Sequence, residues 1–216
     1  MYLAASDLQA IEARVASLEQ SVGAEVVTMI VGKADVYPET VWKAFSLGAA
    51  MTALGVAIGE LLRPVSAWSS SWEAFTAALV ILGVGACCAA LCVYWPAFAR
   101  LFLRESRASL EVSQYAKTQF LERELFATPS RTAILMLVSL LERRVVILAD
   151  TGLRGHVGAA EWDAVIAGMT PKLRNGEVAA AVLAGLDAIG ALLAGKTFAH
   201  GAGNAFPDKP IEEQGA

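Results

Sequence analysis

The run from residue 74 to residue 99 is the feature that most restricts the fold, because it contains no charged residue. A helix that crosses the hydrocarbon core of a bilayer needs about 20 apolar residues, and this run exceeds that length. A second uncharged run covers 44–59 and reaches residue 62 if Glu60 lies near the lipid headgroups. We therefore predict two membrane spans, over about 44–62 and 74–99.

The composition agrees with membrane spans. The chain of 216 residues is 56% hydrophobic and only 18% charged, whereas soluble domains carry about 25% charged residues. The alternative interpretation is a very apolar core hairpin in a soluble helical bundle. The net charge of −4 provides no bulk basic surface, so we expect no nucleic-acid partner.

The segment between the two runs predicts a turn at the membrane surface. Pro64 and the following serines break the helix, and Trp68 and Trp72 have the amphipathic rings that favour the interface. The two spans therefore form a helical hairpin, which returns the chain to the side from which it entered.

The flanking charges predict the orientation of this hairpin. Its two outer ends carry the cations Lys43, Arg100, Arg104 and Arg107, whereas the turn carries only Arg63, beside Glu60 and Glu73. Because cations remain on the cytoplasmic side, we predict a multi-pass protein of the cell inner (plasma) membrane with both termini cytoplasmic. The first residues lack the basic region and continuous apolar run of a signal peptide, which agrees with this topology.

The remaining sequence predicts a soluble domain. The spacing of apolar residues in 6–22 indicates one face of a helix, formed by Leu8, Ile11, Val15, Leu18 and Val22. A buried strand follows in "AEVVTMIVGKA". A charged helix is predicted over 100–126, and a further helix has an apolar face of Trp162, Val165, Ile166, Met169 and Leu173. The apolar helix that follows has Asp187 at its centre and leaves a third span as an alternative. The tail has no helical period and is predicted to be a loop or a surface wrap.

The stretch "RTAILMLVSLLERRVVILADTGL", residues 131–153, predicts two buried strands. Its first apolar run is half the length of a span, and the charged "ERR" that follows is costly inside a bilayer. We expect the strands to be joined at 141–143.

This stretch, the Trp162–Asp163 pair and the ending "NAFPDKPIE" together resemble the TPM domain family, in its membrane-protein branch. That family includes thylakoid-lumen proteins linked to photosystem repair and a nematode protein that modulates acetylcholine receptors. The resemblance implies an α/β fold with a central sheet between helices, an α/β/α sandwich. The transmembrane hairpin is then an insertion after the first strand.

The resemblance and the residues together define the expected organisation of the chain. Residues 1–42 provide the first helix and strand of the sheet domain, and 43–100 form the hairpin. Residues 101–198 complete the sheet domain, and 199–216 are a C-terminal tail.

The loop "ADTGLRGHVG" is the best candidate site, because sites of α/β proteins gather at strand ends. Asp150 ends a strand, Gly152 and Gly155 permit close backbone approach, and Arg154 and His156 suit an anion. The alternative is a structural loop, with Asp150 capping a turn and Arg154 facing water or lipid phosphates.

The resemblance also implies a possible hydrolase. Phosphatase activity and divalent-metal binding are attributed to some plastid relatives, whose loop often reads Gly-Leu-Glu-Gly. Here Arg154 replaces the acidic residue, and only Asp150 and Asp163 remain as weak metal candidates. His156 and His200 are too few for an all-histidine site. We therefore expect no resident cofactor, with a divalent cation as the alternative.

Three classes of function follow. The first is a non-catalytic interaction or assembly module, anchored in the lipid bilayer, that binds a membrane protein or a second copy of the chain. Gly55 and Gly59 form a small-xxx-small pair that would suit close helix packing. The second class is a metal-assisted phosphatase-like hydrolase, and the third is a structural membrane subunit. The sequence contains no catalytic constellation, which favours the first.

Overall fold

The chain folds into two compact units. The computed structural model describes residues 2–62, 71–196, 198 and 206–215. The sheet unit comprises Met1–Asp35 and Glu105–Ala216, and the hairpin unit comprises Val36–Arg104. The predicted turn between the spans, with Arg63 and Trp68, lies outside the described residues, as does His200.

The sheet has four strands, and three of them were expected from the sequence. They are Val26–Lys33 (β1), Ile134–Ser139 (β2), Arg144–Ala149 (β3) and Ile211–Gly215 (β4). Their order is β3-β2-β1-β4, with β1 parallel to both β2 and β4 and with β2 antiparallel to β3. The whole hairpin unit lies in sequence between β1 and β2, so the predicted insertion after the first strand is confirmed.

Helices cover both faces of this sheet. Ala5–Val22 (α1), Ala159–Arg174 (α6) and Val178–Leu193 (α7) pack on one face, and Glu105–Glu122 (α5) packs on the other. Side chains alternate along each buried strand. The first face buries Val26, Ile30, Ile134 and Met136, and the second buries Val27, Met29, Leu135 and Leu137. The predicted α/β/α sandwich is confirmed.

The periodic faces predicted for the helices are buried. All five apolar residues of the α1 face lie in the core, and α6 buries Val165, Met169 and Leu173. The last helix, α7, packs into the same core through Val182, Leu186 and Ile189. Its central Asp187 faces outward and accepts a hydrogen bond of 2.6 Å from Arg14 Nε. The helix is therefore part of the sheet unit's core, and the alternative of a third span is not supported.

The turn between β2 and β3 needs no glycine or proline. Arg143 adopts a left-handed backbone with φ of 51°. Glu142 accepts a hydrogen bond of 2.8 Å from the Ala34 amide and a further bond from the Ser139 hydroxyl. These side-chain contacts hold the turn next to the end of β1.

The tail was predicted to be a loop or a surface wrap, and over Ile211–Gly215 it forms the edge strand β4 instead of a loop. Glu212 Oε1 accepts hydrogen bonds from the amides of Tyr2 and Leu3, at 2.7 and 2.9 Å. Glu213 accepts from Arg123 Nη2 at 2.5 Å and from the Tyr115 hydroxyl at 3.0 Å. The strand is held by carboxylates and by pairing with β1, so its sequence lacks the apolar alternation that would have revealed it.

The hairpin unit contains two long helices, Pro38–Leu61 (α2) and Ser71–Tyr94 (α3). Helix α2 begins earlier than the predicted span because Pro38 occupies its first turn. Helix α3 ends before the predicted residue 99, since Trp95 precedes Pro96 and is extended. A short helix, Pro96–Ala99 (α4), and a 3₁₀ turn, Arg100–Phe102, follow.

Two glycines bring α2 and α3 together. A Cβ added at Gly48 would lie 2.7 Å from Cys88 Sγ, and one at Gly85 would lie 3.0 Å from the Phe45 ring. Added Cβ atoms at Gly55 and Gly59 would meet no described atom within 4 Å. The small-xxx-small pair is therefore not part of the described contact between α2 and α3, and its role in self-association remains a prediction.

Both long helices are long and apolar enough to cross a membrane. In each helix, only 11% of the most apolar window is buried inside the protein, whereas the core helix of a soluble protein is mostly buried. Large apolar side chains are exposed along both helices, including Leu47, Met51, Leu54, Ile58, Phe75, Leu79 and Leu82. This exposure argues against the alternative of a soluble core hairpin.

We expect the sheet unit to fold without the hairpin unit. The apolar clusters on both faces of the sheet contain no described residue of Val36–Arg104. The points of departure and return are adjacent, because Arg107 Nη2 lies 3.1 Å from Asp35 Oδ2. Joining Asp35 to Glu105 by a short glycine-serine linker should give a detergent-free monomer with mixed helix and strand circular dichroism. An unfolded or aggregated product would contradict the division into two units.

Candidate functional site

The candidate loop after β3 lies beside the segment that precedes β2, because these two strands are antiparallel. The Asp150 amide donates to the Ala133 carbonyl at 2.9 Å, and the Gly152 amide donates to the Arg131 carbonyl at 2.9 Å. The loop is thus tied by its backbone to residues about twenty positions earlier in the chain.

Asp150 is the buried centre of this region, with a relative exposure of 4%. Its Oδ2 accepts from Arg131 Nε at 2.7 Å, and its Oδ1 accepts from Arg131 Nη2 at 3.0 Å. Oδ1 also accepts from the Thr151 amide at 2.6 Å, which caps the 3₁₀ turn Thr151–Leu153. Both carboxylate oxygens are therefore used by a bidentate ion pair and a cap.

The ion pair sets the charge of both groups. Burial raises the pKa of the Asp150 carboxyl, but the hydrogen bonds from Arg131 and Thr151 outweigh burial and hold that pKa below its usual value. The hydrogen bond to Asp150 in turn raises the pKa of Arg131. Both groups are charged at neutral pH, and each neutralises the other.

Arg131 is the residue of this site that sequence reasoning missed. Its backbone is left-handed, with φ of 55°, and its guanidinium lies 5.9 Å from the centre of the Phe126 ring. A signal was present in the sequence. In an antiparallel pair of strands, the residues before the first strand and after the second lie at the same end of the sheet.

The two loop glycines differ in their surroundings. A Cβ added at Gly152 would lie 2.5 Å from the Ser130 carbonyl oxygen and 2.6 Å from the Arg131 carbonyl oxygen. A Cβ added at Gly155 would have no described atom within 4 Å. Only Gly152 is therefore required by close backbone approach.

The other two predicted site residues are exposed. Among the described residues, Arg154 forms one hydrogen bond, from its own backbone amide to the Thr151 carbonyl. The His156 ring packs edge-on against Phe198, with centroids 5.2 Å apart. The His156 carbonyl accepts a hydrogen bond of 2.6 Å from Lys196 Nζ. The structure thus pairs Asp150 with Arg131 and leaves Arg154 facing outward.

A divalent cation does not fit at Asp150. The guanidinium of Arg131 occupies both oxygens, and its positive charge opposes a metal ion at the same position. Asp163 lies exposed on α6. In the described part of the chain, no group of three or more His, Cys, Asp or Glu side chains is arranged to hold a metal ion.

A second titratable group with a shifted pKa joins α1 to the tail. The pKa of Glu19 is raised to about 8, chiefly by burial, while a hydrogen bond from the Val26 amide lowers it. The neighbouring carboxylates of Glu25 and Asp208 contribute to the raised value, and Asp208 also hydrogen-bonds Glu19. Sequence reasoning missed this pairing, because Glu19 and Asp208 lie at opposite ends of the chain and carry no shared local pattern.

Comparisons with known proteins support the fold. Residues 103–192, which include α5, β2, β3, α6 and the candidate loop, match the family model of the TPM domain. The NMR structure of BA42 protein from the psychrophilic bacterium Bizionia argentinensis is similar, with a TM-score of 0.56 and 13% sequence identity. The match covers 98% of this chain and 96% of that chain, and at this identity it speaks for the fold alone. No curated protein matches the chain.

Proposed function

We propose that this chain is an integral membrane protein whose TPM-like domain is a non-catalytic interaction or assembly module on the cytoplasmic side of the cell inner membrane. The bidentate pair between Arg131 and Asp150 carries this proposal. It uses the only buried carboxylate of the candidate loop as an internal brace.

The ion pair between Arg131 and Asp150 holds the start of the loop, and the three residues after the capped turn form an exposed surface that we call the polar rim. Arg154, Gly155 and His156 are exposed in succession, directly after the capped turn Thr151–Leu153. Side chains presented on a fixed backbone bind a partner at a smaller cost in conformational entropy than those of a mobile loop. A protein partner with acidic groups would complement Arg154.

A charge reversal at the rim tests the module. The intact chain, purified in mild detergent, should retain one stoichiometric membrane-protein partner, and Arg154→Glu should lose it. Arg174→Glu is the matched control, since Arg174 is also exposed but lies at the end of α6. If both variants retain the partner equally, the polar rim is not the surface that binds it.

Metal titration and activity assays distinguish the module from the second class, a metal-assisted hydrolase. Phosphate-ester turnover generally relies on metal ions, several carboxylates or an activated nucleophile. For a non-catalytic module, calorimetric metal titration and phosphate-ester assays on the intact chain should show neither saturable binding nor turnover. Micromolar metal affinity with turnover that Asp150→Asn abolishes would establish the hydrolase and overturn the module.

The third class, a purely structural subunit, predicts that Arg154→Glu does not change which proteins the chain retains.

Membrane anchoring rests on the exposed apolar surfaces of α2 and α3, and orientation rests on the cations at their outer ends. We expect a reporter fused at Ser70 to be active on the extracytoplasmic side and a reporter fused after residue 216 to be active in the cytoplasm. Extracytoplasmic activity of the C-terminal fusion would reverse the orientation. Release of the chain by alkaline carbonate would contradict anchoring itself.

A further inference from the structure

We call the end at which the chain enters and leaves the hairpin unit its outer end; it is formed by the start of α2 and the residues after α3. This end combines aromatic and cationic side chains. Cys92 and Ala99 pack against Ala44, and Cys92 Sγ approaches the Thr40 carbonyl to 3.7 Å. The start of α2 and the end of α3 are therefore one surface of the unit.

Large aromatic side chains surround this end and are exposed. Trp42 is 66% exposed, Tyr94 is 85% exposed and Trp95 is 58% exposed. The rings of Phe98 and Phe102, also at this end, pack edge-on with their centroids 5.4 Å apart. Tyrosine and tryptophan rings of this kind favour the boundary between hydrocarbon and headgroups.

Three cations lie at the same end. The Lys43 ammonium donates a hydrogen bond of 3.2 Å to the Phe102 carbonyl. This bond places Lys43 against the 3₁₀ turn that begins at Arg100. Arg104 is exposed two residues beyond that turn. Glu39 is the one carboxylate at this end among residues 38–62 and 71–104 of the hairpin unit, so the end has a positive net charge.

The opposite end differs in charge. Its described residues include Glu60, near the end of α2, and Glu73, in the first turn of α3. Helix α3 has 24 residues, and at 1.5 Å per residue it is about 36 Å long. This exceeds the hydrocarbon core of about 30 Å, so the two ends of an inserted hairpin reach opposite headgroup layers.

We propose that Lys43, Arg100 and Arg104 form a binding surface for the headgroups of anionic phospholipids, flanked by Trp42 and Trp95. The inference rests on the proposed membrane insertion of the hairpin. Cations at the membrane surface attract acidic lipids, and the neighbouring rings hold them at the depth of the phosphates. The surface enriches acidic lipids around the outer end of the hairpin.

Lipid selectivity measures this surface directly. The intact chain is reconstituted into phosphatidylcholine vesicles that contain spin-labelled phosphatidylglycerol or spin-labelled phosphatidylcholine, and the immobilised fraction of each label is compared. A cation at the surface strengthens association with an acidic lipid by roughly fivefold. We expect the wild type to prefer phosphatidylglycerol severalfold, and Lys43→Gln/Arg104→Gln to reduce this preference nearly to parity with phosphatidylcholine. The single variant Arg104→Gln should retain an intermediate preference.

The control removes the same charge elsewhere. Lys117 and Arg174 are exposed on α5 and α6 of the sheet unit, and Lys117→Gln/Arg174→Gln should retain the wild-type preference. Equal losses in the two double variants, or no preference in the inserted wild type, would overturn the headgroup surface. Resistance to carbonate extraction is measured in the same vesicles. Failure of the wild type to insert would overturn the proposed anchoring, and the headgroup surface with it.

Discussion

Replacing Gly152 with alanine is expected to destabilise the sheet unit by about 2–3 kcal/mol. The new Cβ would lie 2.5 Å from the Ser130 carbonyl oxygen and 2.6 Å from that of Arg131. Both are backbone atoms, and the Gly152 amide already bonds the Arg131 carbonyl at 2.9 Å. The overlap therefore requires the backbone to shift rather than a flexible side chain to move.

Gly155→Ala is the matched control, three residues further along the same loop. An added Cβ there meets no described atom within 4 Å, and the stability should change by less than about 0.5 kcal/mol. Hydrogen exchange of peptides from 134–149 in the full chain, in mild detergent, measures both variants. Equal protection in the two variants would show that Gly152 is not required by close approach.

Replacing Asp150 with alanine is expected to cost about 2–3 kcal/mol. The change removes two charge-assisted hydrogen bonds from Arg131 and the cap on Thr151–Leu153. Asp163→Ala removes a carboxylate that is exposed on α6 and should change stability by less than about 0.5 kcal/mol. Urea unfolding followed by hydrogen exchange compares the two variants. Losses of equal size would mean that net charge, and not the ion pair, explains the effect.

The contribution of Asp150 should also depend on pH. Its folded-state pKa is lowered, so folding favours the ionised form. The stabilisation is fully present above the unfolded pKa of about 3.9 and is lost as the pH falls through the lower, folded value. The stability gap between wild type and Asp150→Ala should therefore be constant near neutrality and shrink in acid below about pH 4. A gap that grows in acid would contradict a lowered pKa.

The location of the candidate loop was predictable, but its internal chemistry was not. The short apolar runs and the charged residues between them predicted β2 and β3, and Asp150 was placed at a strand end. Asp150 was expected to cap a turn or to bind a ligand, and no charged side chain was identified as its partner. The structure provides Arg131, 19 residues away, because an antiparallel pair returns the chain to its starting point.

Local physics explains what the sequence determined by itself. Helix α1 buries all five residues of its predicted face, since a 3.6-residue period places them on one side whatever they pack against. The exposed apolar helices α2 and α3 follow in the same way from long runs without charge. Burial on both sides makes β1 and β2 largely apolar, so these strands were also recognisable.

Only the tertiary structure decided which distant segments meet. The edge strand β4 was missed because "IEEQG" is half exposed and owes its conformation to the open edge of β1. No local pattern in the sequence indicates the partners of Glu212 and Glu213, which bind the first residues of the chain and α5. The same holds for Arg131 with Asp150 and for Glu19 with Asp208. Such pairs depend on how strands and helices are placed in space, and neither residue's neighbours in sequence carry that information.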